Sequence, residues 1–68
     1  MTIPQPAEIW YWQGEMAYRE YHLIIDLVGT VKRLGKRDEE EYEFRTINLM
    51  YGEPDIIYYR QSGRWERV

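Results

Sequence analysis

Short apolar runs separated by turn residues set the pattern of this chain. Residues 8–12 (EIWYW) form an aromatic run that stops at Gln13-Gly14. A two-residue hairpin loop at Gln13-Gly14 would set Trp12 opposite Glu15, Tyr11 opposite Met16, Ile9 opposite Tyr18 and Glu8 opposite Arg19, the last a pairing of opposite charges. Residues 42–51 (YEFRTINLMY) alternate, with Tyr42, Phe44 and Thr46 on one face and Glu43 and Arg45 on the other. From Ile47 onward both faces are apolar, which predicts burial on two sides. Gly52-Glu53-Pro54-Asp55 reads as a turn, with Pro54 at its first central position. Residues 56–61 and 64–68 flank Ser62-Gly63, a hairpin signal that pairs Arg60 with Trp65, Tyr59 with Glu66, Tyr58 with Arg67 and Ile57 with Val68. In that register Arg60 stacks on Trp65.

Residues 16–34 fit two templates. With period two, Ala17, Tyr21, Leu23, Ile25 and Leu27 share a face; with period 3.6, Ala17, Tyr21, Ile24, Val28 and Val31 form a stripe. Three features favour the strand. Ile24, Ile25, Val28, Thr30 and Val31 are β-branched and lose rotamer freedom in a helix. Gly29 would cost about 1 kcal/mol inside a helix but suits a bulge or bend. A basic block, Lys32 to Arg37, precedes an acidic one, Asp38 to Glu43. Folding back near Arg37-Asp38 places Leu34 opposite Glu41, Arg33 opposite Tyr42 and Lys32 opposite Glu43, so an antiparallel hairpin neutralises both blocks. The predicted fold is all-β: a small antiparallel meander of about five strands, forming a curved sheet or an SH3-like or oligonucleotide-binding-like partial barrel. The alternative is α+β, one helix over 15–34 packed on a three- to four-stranded antiparallel sheet. Residues 1–7, with Pro4 and Pro6, read as an extended tail, and 8–68 as one domain.

Composition explains how such a chain folds. Leu, Ile, Val and Phe supply only 15 of 68 residues, near the range of disordered chains, but three Trp, seven Tyr and one Phe restore burial capacity. Domains of this size bury only about 60% of their unfolded surface. Eleven rings therefore exceed what the interior can hide, and some must meet another molecule, a second copy of the chain included. The segment Leu27-Val28-Gly29-Thr30-Val31, followed by a charged turn and Phe44, resembles the opening strands of oligonucleotide-binding barrels, where the first strand bends at a glycine; the likeness spans about a third of the chain.

Chemistry narrows the functional classes. There is no cysteine, one histidine (His22) and one serine (Ser62), the serine in a turn segment. Nucleophilic catalysis has little to build on, and no phosphate-binding glycine loop or calcium loop spacing occurs. No enzyme, cofactor or metal is expected. A net charge of −3 disfavours a nucleic-acid-coating surface. No apolar run approaches the ~20 residues of a membrane span, and neither a signal peptide nor cysteine is present, so a cytoplasmic protein is expected. The informative constellation is aromatic rings interleaved with arginine. Trp10, Trp12, Tyr18, Arg19, Tyr58, Arg60, Trp65 and Arg67 are the expected partner-binding residues. The same residue types make protein-interface hot spots and stack the bases of single strands. A protein-binding module is the first expectation, a single-stranded nucleic-acid binder the second. The third is an acidic inhibitor of phage type, in which a tip of Asp38, Glu39, Glu40 and Glu41 mimics phosphates.

Overall fold

The computed structural model describes residues 3–32 and 39–68. Its five strands are β1 (Ile9–Gln13), β2 (Arg19–Lys32), β3 (Glu40–Asn48), β4 (Glu53–Tyr59) and β5 (Trp65–Arg67), and no helix occurs among the described residues. They form one antiparallel sheet in the order β4-β3-β2-β1-β5, not closed into a barrel. The helix alternative over 15–34 is thus replaced by β2, a strand of 14 residues. Its β-branched residues fit a pleated surface and would have crowded a helix.

The sheet is strongly curled. β2 slips register against β3 between Ile24 and Asp26 and again between Leu27 and Gly29, so Ile25 and Val28 are extra residues on the longer strand. Bulges bend a strand and increase its twist. The consequence is visible in the core, where Trp10 of β1 meets Tyr59 of β4 edge-to-face, ring centroids 5.5 Å apart, although β2 and β3 lie between them in the sheet. Trp10, Ile24, Phe44, Ile57 and Tyr59 make the buried cluster, with Ile3, Tyr42 and Trp65 packed around it. Pro4 is also buried, and Ala7 donates its amide to the Ile24 carbonyl, so the proline-containing segment lies against the sheet.

Three expected pairings differ. The β1–β2 loop is not two residues long: it spans 14–18, and Trp12 faces Glu20, Tyr11 faces Tyr21 and Ile9 faces Leu23. Gly14 is used for space, since an added Cβ would lie 2.7 Å from the Trp12 ring and 2.9 Å from the Tyr18 ring. The left-handed conformations fall instead on Met16 (φ 54) and Ala17 (φ 62). The β2–β3 hairpin forms in a shifted register, with Lys32 opposite Glu40, Val31 opposite Glu41 and Thr30 opposite Tyr42. The expected partners Arg33 and Leu34 lie outside the described residues. Ser62-Gly63 does not join a β4–β5 hairpin. β5 crosses to β1, with Trp65 opposite Trp12, Glu66 opposite Tyr11 and Arg67 opposite Trp10. Gly63 again provides close approach, its amide donating to the Arg60 carbonyl at 2.9 Å.

The expected turn at 52–55 is also displaced. The reversal is 49–52, closed by the Gly52 amide on the Asn48 carbonyl at 2.7 Å, and Glu53, Pro54 and Asp55 belong to β4. Pro54 is tolerated because β4 is an edge strand. Leu49, Met50 and Tyr51, expected to be buried on two sides, are exposed in that turn.

These loop conformations give opposite outcomes for two substitutions. Gly52 has φ +68 with open space around its Cβ position, so Gly52→Ala should destabilise by about 1 kcal/mol through backbone strain alone. Ala17→Gly relieves the same strain at Ala17, offset by the entropy of the unfolded glycine, and should be neutral or stabilising by a few tenths of a kcal/mol. Urea unfolding of both variants checks the signs.

Candidate functional site

The curl brings the two outer edges of the sheet together, and Trp65 forms the seam. Its indole N–H donates to the Tyr58 carbonyl at 3.1 Å, linking β5 to β4 across the opening. Its ring meets the His22 imidazole edge-on at 5.4 Å. Beside this seam lies a cleft of about 350 Å³ lined by Trp12, Tyr58 and Trp65, by Arg60 and Arg64, and by Glu41 and the Ser62-Gly63 turn. Trp12 remains 37% exposed and Tyr58 50%.

Four of the eight expected partner-binding residues, Trp12, Tyr58, Arg60 and Trp65, therefore meet in one place, and Arg64 joins them. The other four lie elsewhere. Trp10 is a core residue, 5% exposed, with its indole N–H on Glu8 at 3.0 Å. Tyr18 sits in the β1–β2 loop and donates its hydroxyl to Glu20. Arg19 lies over the Tyr11 ring, 4.7 Å from its centroid. Arg67 pairs with Glu8 at 3.3 Å, taking the partner expected for Arg19. The expected stacking of Arg60 on Trp65 is also replaced: the Arg60 guanidinium approaches Glu41 at 3.7 Å.

The acidic tip is engaged with the protein itself. Glu39 accepts from both the Ser62 amide and the Ser62 hydroxyl, the latter at 2.6 Å. Glu40 accepts from the Tyr42 hydroxyl at 3.0 Å. Glu41 is 6% exposed beneath Arg60. Asp38 lies outside the described residues. The Ser62 hydroxyl is thus committed to a carboxylate, and His22 is fully buried with its Nδ1 3.0 Å from the Thr46 hydroxyl and its Nε2 2.8 Å from Glu20. Glu20, His22 and Asp55 carry side-chain donor atoms that all lie within 4.8 Å of one another.

On the opposite face, a cross-strand row of Ile9, Leu23, Ile47 and Pro54 runs over four strands, beside the bidentate ion pair of Arg45 with Asp26. No family model, curated protein or solved structure matches this chain. No helix of the described residues is long and apolar enough to cross a membrane.

Two carboxylates are favoured in their ionised form by their neighbours. The Trp10 indole N–H, helped by the Gln5 amide and the Arg67 charge, holds Glu8 below its usual value of 4.5, and Arg45 holds Asp26 below 3.8. A lowered folded pKa contributes stability that is fully present above the ordinary carboxylate value and is lost as pH falls from there through the lower, folded one. The melting temperature should therefore begin to fall below about pH 5 and keep falling until the lowered folded-state values are passed. Glu8→Gln and Asp26→Asn should each melt lower at neutral pH and lose less on acidification, as pH-resolved thermal melts would show.

Proposed function

We propose that this chain is a non-enzymatic protein-binding module that takes an extended, acidic segment of a partner into the Trp12–Tyr58–Trp65 cleft. The observation that carries this reading is the convergence of three rings and two arginines from β1, β4, β5 and the intervening turn on one concave surface. Trp, Tyr and Arg in a pocket are the residue types that dominate interface energetics. Aromatic-lined grooves also accept extended proline-rich segments, whose ordering entropy is already low. Arg60 is drawn toward Glu41, whereas Arg64 makes no ion pair among the described residues and is the cation offered to a partner carboxylate.

A protein ligand is favoured over single-stranded nucleic acid by the anions around the cleft. A phosphate chain carries a charge at every residue and would meet repulsion from Glu41 in the lining and Glu39 beside Ser62, whereas a peptide can set a carboxylate on Arg64 and uncharged residues beside Glu41 and Glu39. Glu39 and Glu41 are engaged within the chain, which leaves Glu40 as the exposed carboxylate of the described part of the acidic tip and disfavours a phosphate mimic. Strand addition at β5 or β4 is disfavoured too, because β5 has three residues and β4 contains Pro54.

Fluorescence anisotropy with a labelled peptide of alternating Pro and Glu, a Pro/Lys peptide and a thymidine oligonucleotide tests the proposal. The acidic peptide should bind best. Trp12→Ala and Arg64→Glu should each weaken it by about tenfold or more, equivalent to at least ~1.4 kcal/mol, while leaving the fold intact by circular dichroism. Preferential binding of the oligonucleotide, or unchanged peptide affinity in folded Trp12→Ala, would overturn the reading.

A further inference from the structure

We infer that Glu20, His22 and Asp55 form a site for one zinc-like divalent cation, on the inner face of the curled sheet. The donor set differs from a surface acidic cluster in having a completely buried imidazole at its base, 0% exposed, with a half-buried and an exposed carboxylate above it. Glu20 and His22 are two residues apart on β2, so both project to the same face, and the curl brings Asp55 of β4 over them. Neither Glu20 nor Asp55 is paired with a Lys or Arg among the described residues, which leaves two carboxylates close together with only an imidazole between them.

Each donor is also held from behind. The Tyr18 hydroxyl donates to the second oxygen of Glu20 at 3.0 Å, the Ile56 amide to Oδ1 of Asp55 at 2.8 Å, and Thr46 Oγ1 lies 3.0 Å from His22 Nδ1. Such outer partners orient metal ligands and fix the imidazole tautomer. With a cation on Nε2, the imidazole proton resides on Nδ1 and is donated to Thr46 Oγ1, whose own hydroxyl can turn toward the Asp55 carbonyl at 3.5 Å. The Nε2–Glu20 hydrogen bond is exchanged for two bonds to the metal.

Size and chemistry select the ion. Tetrahedral zinc, with bonds of about 2.0–2.2 Å, needs donors about 3.3 Å apart. Donors now within 4.8 Å reach that separation by rotation of the exposed Asp55 side chain, with a small opening of the 2.8 Å His22–Glu20 contact. One nitrogen and two carboxylates suit zinc or cobalt better than magnesium, which favours all-oxygen octahedra and retains its waters. Three protein ligands leave the fourth position to water.

Isothermal titration of the full chain with Zn²⁺ should give one equivalent bound and a raised melting temperature, with Mg²⁺ inert. Co²⁺ should give tetrahedral visible absorption bands and quench the fluorescence of Trp65, whose ring lies against His22. Asp55→Asn, at an exposed position, should fold normally and lose these signals. Thr46→Val should weaken binding by about 10–100-fold without touching a ligand. Glu53→Gln, a nearby exposed carboxylate, should bind as the parent does. Absence of stoichiometric binding, or retention of full affinity in folded Asp55→Asn, would overturn the inference.

Discussion

A single indole spans the gap between the first and last strands of the sheet order. Trp65 is the first residue of a three-residue strand, paired on one side to β1. On the other side its N–H reaches the Tyr58 carbonyl of β4. The ring fills the space between, against His22. Without it the curled sheet would lie open over Trp10, His22 and Tyr59. The aromatic cleft and the cover over His22 both exist because these edges are drawn together. A hydrogen bond of this kind contributes only about 1 kcal/mol net, but the ring it positions buries far more surface than a short strand could otherwise contribute.

The curl that makes this possible originates in β2. A flat strand of 14 residues would carry β1 and β4 far apart; two added residues, Ile25 and Val28, bend it around a thin core. That core is unusual in its polarity. His22, Glu41, Thr46 and Asn48 are buried beside five apolar residues, and no buried side-chain polar atom among the described residues lacks a partner. Each buried polar group is therefore part of a network, His22 to Thr46 and Glu20, Glu41 to Arg60, Asn48 Oδ1 to the Met50 amide. Such groups raise the penalty for alternative packings, since any rearrangement leaves a desolvated donor or acceptor unmet.

The sequence pattern reveals the strands better than their partners. β-branching in residues 24–31, the bend at Gly29 and the opposed charge blocks correctly indicate a meander with a β2–β3 hairpin. The loops are misread because glycine has two uses that look alike in a sequence. Gly14 and Gly63 suggest left-handed hairpin turns, but both serve close approach, to the Trp12 and Tyr18 rings and to the Arg60 carbonyl. Only Gly52, among the described glycines, carries a positive φ. The ring-and-arginine run does contain the cleft, yet linear spacing cannot show that Trp10 faces inward while Trp12, on the same face, lies beyond the core's edge. Arg64 and the Glu20, His22 and Asp55 grouping depend on β5 joining β1 and on β4 curling over β2, which no local signal encodes.

The two rims of the sheet are unequal in a way that bears on the behaviour of concentrated solutions. An exposed rim of backbone amides and carbonyls is a template on which identical chains can stack into fibres. Here β5 is a stub of three residues, and β4 has a residue with no N–H at Pro54 and a carbonyl already occupied at Tyr58. At these two strands a molecule this rich in sticky rings thus offers little main chain for an identical copy to extend, and its side chains there can stay adhesive without its backbone becoming so.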